Sequence, residues 1–203
     1  MAEYDEILLK SDQRYTSCYC EENVWKLCDK IQKSKNLVRL QEEEKTFVVF
    51  ISNKKRTVPL WSQSASEDEE GLVIWDYHVI FVIKNELNST VLDLDSSLPY
   101  PSEFDSYSKY TFKSDKGIKE QYHRKFRVIN SKDFLINFAS DRSHMKDETG
   151  QWIKPPPAYP CIQISTTSNN IDMFISMDQS VGWGNVLSLT DLNDKFGNKR
   201  VTQ

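Results

Sequence analysis

Three groups of side chains that cooperate in acyl transfer fall, in chain order, on a helix and two strands of this chain. Cys20 stands in Ser17-Cys18-Tyr19-Cys20-Glu21-Glu22-Asn23, just ahead of Val24, Leu27, Cys28 and Ile31. Those four fall at i, i+3, i+4 and i+7, one face of a helix, so Cys20 sits where that helix begins. His78 stands in Trp75-Asp76-Tyr77-His78-Val79-Ile80, whose aromatic and β-branched content reads as a strand. Asp93 and Asp95 close the next strand-like run, Val91-Leu92-Asp93-Leu94-Asp95. Thiol chemistry needs these three parts: a sulphur nucleophile, a base to deprotonate it and a carboxylate to orient the base.

Each part has competitors. Unpaired amides at a helix start favour an anion, which can lower a thiol pKa and hold an oxyanion. The adjacent Glu21 and Glu22 oppose a thiolate at Cys20. Cys28 lies on the apolar stripe and reads as a packed core thiol. Among the three histidines, His123 lies between Tyr122 and Arg124 and looks exposed. His144, three residues after Asp141, is the second choice for a base. Period two puts Asp76, His78 and Ile80 on one strand face and Trp75, Tyr77 and Val79 on the other. Asp93 and Asp95 share a face, so periodicity does not choose between them. The cysteines Cys18, Cys20, Cys28 and Cys161 lack the paired spacing of a zinc site and are expected as free thiols. No Gly-rich phosphate loop and no His-Glu-x-x-His pattern is present.

The elements that must position these groups fit one α+β domain over residues 1–203, with 1–16 as a loose lead-in. The length of 203 residues and the 38% apolar content suffice for a sizeable core. A helix is expected from Cys20 to about Lys33. Thr46–Ile51 and Thr57–Trp61 read as a hairpin around Asn53-Lys54-Lys55. Leu72–Ile83 is the longest strand signal, and Ser89–Leu94 pairs with it antiparallel at the sheet centre. Arg124–Ile129 and Val186–Leu189 add strands. Ser131 should cap a helix through Phe138, and Thr190 a short one ending at Gly197. Between them, 141–161 is an irregular stretch holding Pro155-Pro156-Pro157, of the long ordered kind that often lines sites. The net charge of −4 argues against nucleic acid or an anionic membrane as partner. No apolar run is long enough to span a bilayer and no secretory signal opens the chain. The reading is a cytoplasmic, and also nuclear, monomer.

Taken together, these segments resemble the protein N-terminal glutamine amidohydrolase family. The resemblance rests on Ser17–Asn23 with Trp25-Lys26-Leu27-Cys28, on Trp75-Asp76-Tyr77-His78-Val79, and on Asp93-Leu94-Asp95 with Leu98-Pro99. Lys125–Ile129, Phe138–Lys146, Pro155–Cys161, Phe174–Asp178 and Val181–Gly184 extend it over nearly the whole chain. The resemblance implies an α-β-α sandwich with a mainly antiparallel sheet, related to the papain and transglutaminase core. It implies Cys20 as nucleophile, His78 as base and Asp93 as its orienting carboxylate, acting through a thioester with no metal or cofactor. The implied substrate is a polypeptide with glutamine first, deamidated to glutamate and passed to an N-degron route. Glu21, Glu22 and Asp76 are candidates to read the substrate's free α-ammonium. The competing reading is a papain-like protease or a transglutaminase-like acyltransferase using the same three residues.

Overall fold

A computed structural model describes residues 9–33 and 45–198. Eight strands are seen: β1 (Lys45–Ser52), β2 (Val58–Leu60), β3 (Val73–Trp75), β4 (His78–Lys84), β5 (Ser89–Leu92), β6 (Ser102–Glu103), β7 (Lys125–Asn130) and β8 (Asn185–Leu187). Five α-helices accompany them: α1 (Cys20–Lys33), α2 (Phe104–Tyr107), α3 (Ser131–Asn137), α4 (Ile171–Ile175) and α5 (Leu189–Phe196). Six strands form one sheet in the order β6-β5-β4-β1-β7-β8, every neighbouring pair antiparallel. The α+β expectation holds, with helices on both faces of this sheet.

Alternation along the central strands builds two cores. Val48 and Phe50 of β1 and Val79 and Phe81 of β4 face one side, where Val24, Leu27, Cys28 and Ile31 of α1 pack with Phe134 and Phe174. Val49, Ile51, Ile80 and Val82 face the other, against Phe104, Tyr107, Leu192 and Phe196. The α1 stripe is therefore the one read from sequence, and its burial against β4 fixes where Cys20 must sit. Cys28 is 2% exposed in that core. Cys28→Ala should cost about 1–2 kcal/mol of stability through lost contact and cavity. Thermal unfolding should show this as a drop of roughly 2–4 °C per kcal/mol, with activity kept.

Three expectations need correction. Thr46–Ile51 and Thr57–Trp61 do not pair with each other. A turn does form, with Asn53 Oδ1 accepting from the Lys55 and Thr57 amides at 3.0 and 3.1 Å. Beyond it the chain leaves the sheet, because β1 is already paired on both edges, to β4 and to β7. Its nearly unbroken apolar run is the mark of such a central strand. Leu72–Ile83 is not one strand either. β3 pairs with β2 in a separate two-stranded sheet, and the chain crosses into the main sheet at Asp76 and Tyr77. Asp76 Oδ1 accepts from the Tyr77 amide at 2.9 Å, a local bond that takes this N–H out of any ladder. Finally, caps fall one or two residues early. Asn130 caps α3, and Ser188 caps α5 in a reciprocal capping box with Asp191. Among the described residues, no helix is long and apolar enough to cross a membrane.

The lead-in is tied down where it is described. Lys10 Nζ donates to the Ser96 carbonyl at 2.9 Å and the Tyr15 hydroxyl to Asp95 at 2.6 Å. The Asn23 side chain closes a ring with Thr16, accepting from its amide at 2.8 Å and donating to its carbonyl at 2.9 Å. This bracket sets the entry angle into α1.

Candidate active site

The site lies at the end of the sheet where β5 stops short. The β4–β5 ladder ends at Phe81 and Leu92, so His78, Val79 and Ile80 have an open edge on that side. The start of α1 covers it. Cys20 is 6% exposed, and the Val79 backbone amide beside it favours the thiolate. Its thiol donates to Glu21 Oε2 at 3.7 Å.

His78, fully buried, is one residue before Val79 on the same open edge. Its Nε2 pairs with Asp93 Oδ1 at 3.0 Å. The Trp75 ring lies parallel to the imidazole, with centroids 5.3 Å apart. The change of sheet at Asp76 is what lets Trp75 fold back over His78. Nδ1 of His78 is buried and has no hydrogen-bond partner among the described residues. Asp93 is held from three directions: by His78, by the Asp95 amide at 3.0 Å, and by the Tyr107 hydroxyl on Oδ2 at 2.6 Å. The sequence pattern held no signal for Tyr107, which enters from the opposite core on α2.

The electrostatics follow from this geometry. Burial raises the Asp93 carboxyl, but His78, Tyr107 and the Asp95 amide outweigh it and leave it below its ordinary value. Burial lowers the His78 imidazole, and the Asp93 charge and hydrogen bond outweigh that too, so it ends above its ordinary value. Asp95 is pushed up by burial, with Asp93 adding to the rise. The Cys20 thiol is pushed well up, first by burial and then by Glu21 and Asp95. The helix start therefore does not bring the thiol below its ordinary value, because burial and the neighbouring carboxylates outweigh it. Asp95 and Glu21 act on both Cys20 and His78, which places the thiol and the imidazole in one electrostatic neighbourhood.

The three acidic candidates have different surroundings. Glu22 is fully buried, and Arg142 grips both its oxygens at 2.8 Å, Nε to Oε1 and Nη2 to Oε2. This bidentate pair joins α1 to the 141–161 segment. Asp76 is exposed at the change of sheet. Glu21 is fully buried beside Cys20, and its Oε2 accepts from the Tyr77 hydroxyl at 3.0 Å. Its Oε1 is buried without a hydrogen bond among the described residues, with His144 Nε2 at 3.7 Å. Burial pushes the Glu21 carboxyl up to about 7, against the pull of its own amide and Tyr77. His144 is held below its ordinary value by burial and contacts Tyr77 at 3.3 Å. His123 lies elsewhere, bonded to the Ile118 carbonyl at 2.9 Å.

Ligand atoms of His78, Asp93 and Asp95 lie within 4.8 Å of one another, the one group among the described residues with metal-binding spacing. Their oxygens already accept from Tyr15, Tyr107 and the Asp95 amide. Cys18, Cys20, Cys28 and Cys161 are free thiols, as expected.

A family model for N-terminal glutamine amidase matches residues 15–196. The chain belongs to the N-terminal glutamine amidase family. It is 48% identical over 186 residues to the protein N-terminal glutamine amidohydrolase of Homo sapiens, covering 91% of this chain and 88% of that one. The Danio rerio protein of the same name is 49% identical, over 91% and 90% of the two chains. That of Drosophila melanogaster is 46% identical, over 92% and 89%. The matched span of the amidase family begins at Tyr15, so it takes in the Tyr15–Asp95 tie as well as Cys20, His78 and Asp93.

Proposed function

We propose that this chain hydrolyses the side-chain carboxamide of an N-terminal glutamine, releasing ammonia and leaving glutamate. One observation carries the proposal beyond family membership. His78 is buried with Nε2 committed to Asp93 at 3.0 Å and Nδ1 left without a partner, beside the helix that starts at Cys20. An imidazole so held can take a proton at one atom only.

His78 Nδ1 takes the Cys20 proton as the sulphur attacks the carboxamide carbon, forming the C–S bond and pushing charge onto oxygen. The Cys20 backbone amide is one donor to that oxygen, an interaction worth about 3–4 kcal/mol in acyl transfer. His78 then passes its proton to the nitrogen, the C–N bond breaks, and ammonia leaves a thioester. Water gives a proton to His78 and its oxygen to the thioester carbon, and the thiolate departs to be reprotonated. Asp93 keeps the imidazole in one tautomer and stabilises its charged form. The papain and transglutaminase core uses the same order of helix, strand and strand. The carboxylates about Cys20, drawn from Glu21, Glu22 and Asp76, read the free α-ammonium. The glutamate product then enters an N-degron route in the cytoplasm or nucleus.

Ammonia release tests this. Gln-initiated peptides should release one equivalent of ammonia, while peptides with the same glutamine placed internally release none. Release of an amino-terminal fragment instead would make the protein a protease. The orienting carboxylate has its own test. Asp93→Asn should lower kcat by about 10³–10⁴-fold, since the amide can hold the wrong tautomer. Asp95→Asn, whose carboxylate meets Tyr15 and not the imidazole nitrogen, should cost about tenfold or less. Equal losses would remove Asp93 from its assigned place.

A further inference from the structure

We propose that Glu21 is the counter-ion of the substrate's α-ammonium, and that its fixed separation from Cys20 gauges side-chain length, with His144 holding the ammonium's place in the free protein. This rests on the deamidation reading above and assigns within it a site that the catalytic steps do not use.

The argument starts from an unspent oxygen. A buried carboxylate oxygen without a hydrogen bond is costly, and native structures rarely leave one unless a ligand completes it. Glu21 Oε1 is such an atom. Its companion Oε2 is pinned by the Tyr77 hydroxyl at 3.0 Å and the Cys20 thiol at 3.7 Å, so the carboxylate cannot turn away. The other acidic neighbours are less suited. Both Glu22 oxygens are taken by Arg142, and Asp76 is exposed and spends Oδ1 on the Tyr77 amide.

The dimensions fit glutamine. In an extended glutamine the α-nitrogen lies roughly 4–5 Å from the carboxamide carbon, given bonds of about 1.5 Å. An attacking sulphur stands about 3–3.5 Å from that carbon. Glu21 Oε2 is 3.7 Å from the sulphur, and Oε1 is roughly 2 Å from Oε2. An ammonium hydrogen-bonded to Oε1 at about 2.8 Å therefore closes the figure with the carbon in reach of Cys20. Asparagine shortens the span by roughly 1 Å. With its ammonium on Glu21, asparagine brings its carbon to Cys20 from a different direction than glutamine does, out of line for attack. A methylene read by pocket contact alone gives about 10–200-fold discrimination. A ruler anchored at both ends can exceed that.

His144 covers the path to Oε1. Its Nε2 stands 3.7 Å from that oxygen, its side chain is 22% exposed, and Nδ1 has no partner among the described residues. It rides on the irregular 141–161 segment, on the short turn Ser143–Met145. Oε1 is closed to solvent in the free protein, so an incoming ammonium must displace the imidazole from its contacts with Glu21 and Tyr77.

The experiment compares the wild type with Glu21→Gln, which keeps shape and removes charge. The substrates are one peptide with free Gln, Nα-acetyl-Gln, desamino-Gln or free Asn at its first position. The wild type should favour free Gln over both amine-blocked forms by at least about a hundredfold. In Glu21→Gln, kcat/KM for free Gln should fall by a similar factor, mainly through KM. The blocked peptides should change little, so the preference collapses. Alkylation of Cys20 by iodoacetamide should be no slower in the variant, because losing a negative neighbour eases thiolate formation. His144→Ala should retain the free-amine preference and lower KM. Alkylation falling in step with turnover would make Glu21 a partner of the thiol and overturn the proposal. So would a preference that survives in Glu21→Gln or vanishes in His144→Ala. If Glu21→Gln does not fold, the wild type alone decides: equal turnover of desamino-Gln and free Gln overturns it. Failure of the wild type to deamidate free Gln at all would sink the deamidation reading instead.

Discussion

Replacing Cys20 by alanine should reduce deamidation by about 10⁴–10⁶-fold, the scale of losing a nucleophile from a unit that works together. On the proposed mechanism no thioester can form without the sulphur, and neither thiol nearest it in the chain is placed to substitute. Cys28 lies further along the same helix, packed in the core, and Cys18 precedes it with a positive φ of 67° and its sulphur on Ser17. The substitution should also cost some stability. Cys20 is 6% exposed and packs in the α1 core, and its removal frees Glu21 Oε2 of one contact. A loss of about 1 kcal/mol is expected, leaving the fold intact. Turnover by steady-state ammonia release and folding by thermal melt separate the two effects. Appreciable turnover by a folded Cys20→Ala variant would remove Cys20 from the mechanism.

His78→Ala should be as damaging as Cys20→Ala, and the double variant little worse than either. The thiol is pushed up by burial and by Glu21 and Asp95, which disfavours the thiolate. The proposed mechanism therefore needs a base within the site, and assigns it to the imidazole that pairs with Asp93. The removal leaves Asp93 buried with one partner fewer, though Tyr107 and the Asp95 amide still hold it. His144→Ala should keep kcat within about tenfold, because it meets Tyr77 and Glu21 rather than the reacting carbon. His123→Ala should leave kcat unchanged. An inactive His144 variant beside an active His78 variant would exchange their roles.

The helix face of α1 was legible because periodicity reports burial directly, and with it came Cys20 at the helix start and Cys28 in the core. The strand character of β4 and β5 was legible for the same reason. Pairing was not. A run such as Leu72–Ile83 shows one apolar character throughout, while its halves join different sheets. The local bond of Asp76 to Tyr77 that marks the break looks in sequence like any strand aspartate. The choice of Asp93 over Asp95 came from resemblance, and in the structure it is the Asp93 oxygen that meets the imidazole. Tyr107, Tyr15 and Arg142 had no pattern to betray them. Tyr15 and Arg142 act across 80 and 120 residues of chain and Tyr107 across 14, each bringing a polar tip to a carboxylate from another element. The adjacency of Glu21 and Glu22 to Cys20 was visible at once. Only the fold separates the carboxylate spent on Arg142 from the one with an oxygen to spare.

The central claim is hydrolysis of a terminal carboxamide without any break in the peptide. Tandem mass spectrometry of a Gln-initiated peptide after incubation with the protein tests it most directly. The account predicts an intact peptide heavier by about one dalton, the increment assigned to its first residue, as exchange of amide for acid requires. The same peptide carrying a second, internal glutamine should gain that increment once. Cleaved fragments, a product joined to an added amine, or a mass gain at the internal glutamine would contradict it.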